Sequence, residues 1–100
     1  AQKTIETFPE FFASNSRAEV SIHMKNSNKI GIIDRLIVGE DMVKIIDFKT
    51  DSNIPKNGKI PVKYIEQLNN YAGAIKQIYP NKQVKTAIVW VMENRLDWVD

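Results

Sequence analysis

An aspartate and a lysine interrupt an otherwise mainly apolar segment of this chain, the stretch VKIIDFKT. Its β-forming residues predict a strand, and side chains two residues apart in a strand share one face. Asp47 and Lys49 therefore project together, on the same face as Val43 and Ile45. A carboxylate can hold a hard divalent cation such as Mg²⁺, and a neighbouring ammonium can orient a water or stabilise charge on a phosphate. The pair suits phosphodiester hydrolysis.

A second carboxylate is expected close to Asp47, because one carboxylate is rarely enough to hold Mg²⁺. Asp34 is the candidate, near the middle of the preceding predicted strand KIGIIDRLIVG. If the two strands pair across EDM, Asp34 and Asp47 lie roughly opposite one another. Each charge also has an ordinary interpretation, a weak ion pair of Asp47 with Lys49 and of Asp34 with Arg35. Both carboxylates interrupt apolar runs, however, where a buried charge is costly.

The elements that position these residues follow from the periodicity of the chain. The segment RAEVSIHM has a period of two, which predicts a first strand. Ala18, Val20 and Ile22 would occupy one side of it, and Glu19, Ser21 and His23 the other. The next two strands are predicted to form an antiparallel hairpin. The lead-in IETFPEFFASN, the turn KNSNK and the loop DSNIPKNGKIP are predicted to be irregular.

The period then changes to that of a helix, between Pro61 and Pro80. An apolar stripe runs along it, made of Ile65, Leu68, Ala72, Ile75 and Tyr79. The segment QVKTAIVWVM predicts a central strand, and RLDWVD a further edge strand. The order β-β-β-α-β indicates an α/β or α+β fold around a mixed sheet, in a single domain over residues 1–100.

Composition excludes several classes of site. The chain has 100 residues, a formal charge of +2 and no cysteine, so disulfides, zinc–thiolate sites and cysteine-held iron–sulfur clusters are excluded. No apolar run approaches the length that spans a membrane. Lysines cluster at Lys56, Lys59 and Lys63, for which a solvated loop is the ordinary interpretation.

Three motifs carry a resemblance to a known family. GIIDRL, IIDFKT and YIEQLNNY, in this order, resemble the PD-(D/E)xK nuclease superfamily, and within it the RecB/AddA branch of bacterial recombination exonucleases. That branch shows a G-x-x-D strand, a D-[FY]-K-[TS] strand and a helix with Q-x-x-x-Y. Each motif is weak by itself, and their order makes the resemblance specific from about Glu19 to the end of the chain. It implies a restriction-endonuclease-like core with a strand 2–3 hairpin, a helix and a further strand.

The resemblance also implies the site. Asp34 and Asp47 match the metal-binding acidic residues, with the backbone carbonyl of Phe48 as a further ligand, and Lys49 matches the catalytic lysine. Glu19 resembles an acidic residue that precedes the G-x-x-D strand, and so is a further metal-ligand candidate. Mg²⁺, or Mn²⁺ in its place, is the implied cofactor. His23 does not match the family's histidine, which lies on an upstream helix.

Gln67 and Tyr71 match the Q-x-x-x-Y pair, which in this branch lies beside the active site and contacts DNA or the catalytic groups. Helical spacing of four residues puts them on one face, together with Tyr64, a further DNA-binding candidate. Their ordinary interpretation is helix surface and core edge. The site residues of this helix are thus expectations from the resemblance more than from the spacing.

The resemblance implies a wider context as well. It predicts a DNA exonuclease domain in double-strand-break repair, attached to a helicase motor, with an AddB-type partner protein, in the bacterial cytoplasm and without a membrane segment. The first residues, AQKTIETFPEFFAS, lack the family's histidine helix, so a fragment with weak metal binding is expected. The alternatives are a catalytically silent DNA-binding or structural module, and another nuclease of the superfamily, such as a phage or restriction-like enzyme.

Overall fold

The computed structural model of the chain describes residues 15–23, 29–50 and 59–99. Its elements, in chain order, are β1 (Ser16–His23), β2 (Ile30–Val38), β3 (Met42–Lys49), α1 (Val62–Ile78), β4 (Gln83–Trp90) and β5 (Arg95–Val99). Most of the lead-in, turn and loop expected over residues 5–15, 25–29 and 51–61 lies outside the described residues. The predicted order of strands and helix is confirmed.

The five strands form one mixed sheet in the order β1-β2-β3-β4-β5. The pairs β1/β2, β2/β3 and β4/β5 are antiparallel, whereas β3 and β4 are parallel. Parallel neighbours need a crossover connection, and α1 supplies it here. The α/β, restriction-endonuclease-like prediction is therefore confirmed, including the hairpin of the second and third strands.

The β2–β3 hairpin closes through a short turn at Gly39. The Gly39 N–H donates to the Met42 carbonyl oxygen at 2.8 Å. A Cβ atom at this position would lie 3.0 Å from the same oxygen, so the tight approach favours glycine. The turn sets the register Val38 to Val43 and Leu36 to Ile45, which fixes what lies further along both strands.

Helix α1 covers one face of the sheet. It begins directly after Pro61 and ends at Ile78, two residues before Pro80, as the prolines predicted. The helix buries Leu68, Tyr71, Ala74 and Ile75 against strand residues that include Ile33, Leu36, Val43, Ile45, Ile88 and Trp90. Among the described residues, none of the helices combines the length and apolarity that crossing a membrane requires.

The opposite face of the sheet carries a smaller apolar cluster, made of Ile37, Ile46, Ala87 and Val89, with Phe48 and Leu96 packed against it. Strands β3 and β4 are therefore apolar on both faces over much of their length. That explains the continuous apolar run at the end of β4, and it confirms the predicted central position of that strand.

The predicted alternation along β1 was wrong at Ala18. Ala18 is exposed, whereas Val20 and Ile22 pack into the helix-side core. The residue between them, Glu19, has a φ of 52°, in the left-handed region of the backbone. This backbone conformation changes the side-chain direction between Ala18 and Val20, so the simple period of two does not extend across Glu19.

The core gives a first testable prediction. Leu68 is a fully buried residue of α1, so Leu68→Ala removes buried surface and leaves a cavity. We expect it to lower the free energy of unfolding by about 3 kcal/mol, measured by urea denaturation. Ile78→Ala is the matched control on the same helix, since Ile78 is 60% exposed and its change should cost less than about 0.5 kcal/mol. Equal losses in both variants would contradict the core assignment.

Candidate active site

Asp47 and Lys49 lie at the end of β3, on the face that α1 covers. Val43 and Ile45, on the same face, are fully buried and fix the strand against the helix. The Lys49 Nζ atom lies 3.0 Å from Asp47 Oδ2, and Asp47 is only 7% exposed. The sheet thus holds a charged pair at the edge of an apolar core.

The Asp34 carboxylate lies beside this pair because β2 and β3 part there. The antiparallel ladder continues from Val38 to the pair of Arg35 with Ile46, and the next position would set Asp34 opposite Asp47. At that point the Phe48 N–H donates to Asp34 Oδ2 at 2.9 Å. A side-chain oxygen therefore takes the place of a backbone acceptor, and it brings the two aspartates together.

The backbone carbonyl of Phe48 points toward the same gap. In a strand, the N–H and C=O of one residue point to the same neighbour, and the Phe48 N–H points to Asp34. The next carbonyl, of Lys49, points the other way and accepts from the Val91 N–H at 2.9 Å. Two carboxyl groups and one carbonyl oxygen thus lie at the point where β2 and β3 part.

Burial dominates the electrostatics of Asp47. It raises the pKa of Asp47 from 3.8 to about 6; the Lys49 ammonium opposes this rise, and the nearby Asp34 carboxyl adds to it. The cause is that a low-dielectric site disfavours the charged form, and that two adjacent carboxylates repel each other. Asp47 is therefore protonated at a higher pH than an exposed aspartate, although it is still mostly ionised at pH 7.

Among the described residues, one oxygen of this carboxylate is contacted by an ion pair and not by an aligned hydrogen bond. Asp47 Oδ2 is buried, and although Lys49 Nζ lies 3.0 Å away, the geometry is not that of a hydrogen bond. A buried carboxylate beside a second carboxyl group is costly, and a divalent cation would offset that cost. Asp34, Asp47 and the Phe48 carbonyl offer the oxygen ligands that Mg²⁺ prefers, so the donor set fits such an ion.

Aromatic rings hold Lys49 from the other side. Its Nζ atom lies 4.2 Å from the centre of the Tyr64 ring, near the start of α1. The Tyr64 ring in turn lies 6.2 Å from the ring of Trp90, which pairs with Lys49 across β3 and β4. Trp90 is fully buried. The ammonium is thus fixed between a carboxylate and an aromatic face.

The two residues of the Q-x-x-x-Y motif bond to each other. Gln67 Nε2 lies 3.3 Å from Tyr71 Oη, as a donor to the hydroxyl, and Tyr71 is buried in the helix-side core. The motif therefore has a structural part, in which the tyrosine anchors the helix and orients the glutamine. Gln67 itself remains partly exposed on the helix surface.

Glu19 lies across the β1–β2 ladder from Asp34, since Ala18 pairs with Arg35 and Val20 with Ile33. It lines a shallow cavity with Asp34 and Phe48, but it is exposed. Within residues 15–23, 29–50 and 59–99, no three acidic, histidine or cysteine side chains come together as a metal cluster. The structure thus brings Asp34 and Asp47 together without Glu19. His23 is exposed at the end of β1.

Sequence reasoning missed a polar network behind the site. Trp90 Nε1 donates to Asp97 Oδ2 at 2.8 Å, and Arg95 Nη2 lies 3.2 Å from the same oxygen. The Arg95 guanidinium also lies 6.0 Å from the Trp90 ring centre. Alternation in RLDWV could have placed Arg95 and Asp97 on one face. Only the pairing of β4 with β5 shows that this face meets Trp90.

The mixed sheet with its crossover helix, and the Asp-Lys pair at the end of β3, belong to a chain whose sequence matches a known family. A sequence model described as the PD-(D/E)XK nuclease superfamily matches residues 2–97. Because this match covers nearly the whole chain, the chain belongs to that superfamily.

A curated relative narrows the similarity. An ATP-dependent helicase/nuclease of Oenococcus oeni, of the AddA type, is 38% identical over 61 residues, which are 59% of this chain. The chain is similar to this protein over only 5% of that protein's length. The similarity supports the RecB/AddA-type assignment that the motifs GIIDRL, IIDFKT and YIEQLNNY predicted.

The raised pKa of Asp47 predicts a pH dependence of stability. The folded chain holds this proton up to about pH 6 and the unfolded chain only to about 3.8. The stability that protonation contributes is therefore fully present below the lower value and is lost as the pH rises through the upper one. Without divalent cations, the free energy of unfolding of wild type should therefore fall relative to that of Asp47→Asn, by up to about 3 kcal/mol, as the pH rises from about 4 to about 7.5.

Urea denaturation in EDTA at the two pH values measures this gain. Asp41→Asn, in the exposed β2–β3 turn, is the matched control and should follow wild type at both values. An Asp47→Asn variant whose stability relative to wild type is the same at both pH values would contradict the buried, raised carboxyl.

Proposed function

We propose that this chain hydrolyses phosphodiester bonds in DNA, with Mg²⁺ or Mn²⁺ as its cofactor. The superfamily to which it belongs is one of nucleases. The observation that carries the finer proposal is the buried Asp47 carboxylate, which lies beside the Asp34 carboxyl and 3.0 Å from the Lys49 ammonium. Oxygen donors that suit a divalent cation, with an adjacent ammonium, fit a phosphate better than any uncharged substrate.

Each residue of the site then has a role in this proposal. Asp34, Asp47 and the Phe48 carbonyl would hold the cation, which when bound polarises a phosphate oxygen and lowers the pKa of a water. Lys49, fixed by Asp47 and Tyr64, orients the attacking water or neutralises charge that develops on the phosphate. The water oxygen bonds to phosphorus while the bond to the leaving sugar oxygen breaks.

The helix supplies the substrate contacts in this proposal. Gln67, oriented by Tyr71, and the Tyr64 ring are the groups of α1 whose chemistry suits strand binding. An amide can bond to a phosphate or a base edge, and an aromatic face can stack on a base. Both contacts would position the scissile phosphate over Lys49 without taking part in the bond changes.

We also infer the wider role. The relative's name joins a helicase and a nuclease in one polypeptide, which supports an exonuclease domain attached to a helicase motor. On this proposal residues 1–100 form a single nuclease domain. The proposed wider role also includes an AddB-type partner protein, double-strand-break repair and a location in the bacterial cytoplasm. DNA is the substrate.

Removal of either central charge tests the proposal. Asp47→Asn and Lys49→Ala should each lower the rate of DNA cleavage by at least about 100-fold, because each removes a group that acts on the phosphate or the cation. Cleavage of an end-labelled linear DNA with Mg²⁺ gives the rate, and circular dichroism reports the fold. EDTA should abolish cleavage, and added Mg²⁺ or Mn²⁺ should restore it.

The controls lie on the same strand and its turn. Lys44→Ala changes a lysine of β3 on the opposite face, and Asp41→Asn an aspartate of the exposed turn. Both should cut as wild type does. Full cleavage by Asp47→Asn would sink the assignment, whereas DNA binding without cleavage by wild type would favour the catalytically silent module.

Tyr64 gives a separate prediction about how Lys49 is held. Tyr64→Leu removes the ring that lies 4.2 Å from Lys49 Nζ, whereas Tyr64→Phe keeps it. We expect the leucine variant to lose about tenfold in kcat, from about 1–2 kcal/mol of cation–π interaction, together with a rise in KM from the lost stacking surface. The phenylalanine variant should cut nearly as wild type. A change confined to KM would instead assign the ring to strand binding.

A further inference from the structure

A groove runs between the start of β2 and the exposed side of α1. Lys29 and Gly31 lie on its strand side, and Lys63, Gln67 and Asn70 on its helix side, with Tyr71 also lining it. The cavity measures about 330 Å³. Glu66 is the carboxylate that shares this lining with the two lysines. We call this surface the basic groove.

The basic groove leads to the candidate active site through one side chain. The Nζ atom of Lys63 lies 5.1 Å from the centre of the Tyr64 ring. The Nζ atom of Lys49 lies 4.2 Å from the same centre. Tyr64 therefore connects a groove lysine to the site lysine.

We propose that the basic groove binds a single strand of nucleic acid and leads it to the site at Asp47 and Lys49. This inference rests on the proposed function, since the strand is the substrate of that site. Lys29 and Lys63 would each contact a phosphate, one from either wall. A cavity of about 330 Å³ with a lysine on either side has room for part of a single strand but not for a duplex.

The remaining lining fits a nucleotide chain. Gly31 has no side chain, so a sugar or base can approach the backbone of β2 at that point. The amides of Gln67 and Asn70 offer both donors and acceptors to base edges and phosphates. Ile30, which is 61% exposed, offers an apolar surface beside them for the face of a base.

Affinity and its salt dependence test this proposal. The double variant Lys29→Gln/Lys63→Gln of the 100-residue chain should bind a fluorescent oligothymidylate several-fold more weakly in EDTA, measured by anisotropy. Its slope of log affinity against log salt should fall by about 1.4, because each phosphate contact to a single strand contributes about 0.7. The matched control is Lys44→Gln/Lys85→Gln, a cross-strand pair on the opposite face of the sheet, which should keep the wild-type slope.

A cross-linking experiment locates the strand directly. The chain contains no cysteine, so Asn70→Cys can carry a single photoreactive group. We expect the labelled Asn70→Cys variant to cross-link to the oligothymidylate. Lys85→Cys with the same group should form no cross-link. Equal cross-linking at both positions, or an unchanged salt slope in the groove variant, would overturn the proposal.

The outcomes also separate this inference from the proposed function. If wild type cuts DNA while the groove variant keeps its affinity and slope, only the groove assignment fails. If the groove variant loses affinity but wild type never cuts with Mg²⁺, only the nuclease activity fails. Displacement of the oligothymidylate by polyglutamate of equal length at equal concentration would overturn the nucleic-acid assignment in favour of an acidic peptide.

Discussion

The rest of this site depends on the burial of one charge. Asp47 sits at the end of a central strand, 7% exposed, and its pKa is raised to about 6 mainly because that surrounding disfavours the ionised form. An isolated carboxylate there would destabilise the fold. Asp34 and Lys49 lie next to it: the Asp34 carboxyl adds to the rise in the pKa, and the Lys49 ammonium opposes it. The local cost in stability and the chemistry proposed for the site have the same origin.

The sheet makes this arrangement rigid. Strand β3 is packed on the helix side by Val43 and Ile45 and on the other side by Ile46, so its end has little freedom. Where β2 leaves β3, the Asp34 side chain accepts the Phe48 N–H in place of a backbone carbonyl. The Phe48 N–H, which a regular ladder would bond to a backbone carbonyl of β2, thus positions the Asp34 carboxylate. The geometry of the site therefore depends on the strand register.

The amphipathic patterns allowed the elements to be predicted, because each repeats over several residues. The alternating and continuous apolar runs predicted the strands, the prolines bounded α1, and the motifs pointed to the family. Local pattern failed at Glu19, where a left-handed backbone redirects Ala18. It also missed Trp90 with Asp97, because two strands must pair before those side chains can meet. Contacts between residues far apart in the chain leave no periodic trace in a single sequence.

By itself, the sequence determined which residues share a strand face and which motif they form, since a fixed backbone period decides both. Asp47 next to Lys49, and Gln67 next to Tyr71, follow from that rule. Only the tertiary structure decided that Asp34 meets Asp47, that Tyr64 holds Lys49, and that Glu19 stays outside the pair of aspartates. The physical reason is that strand register and helix docking are set by packing of the whole core, not by any local segment.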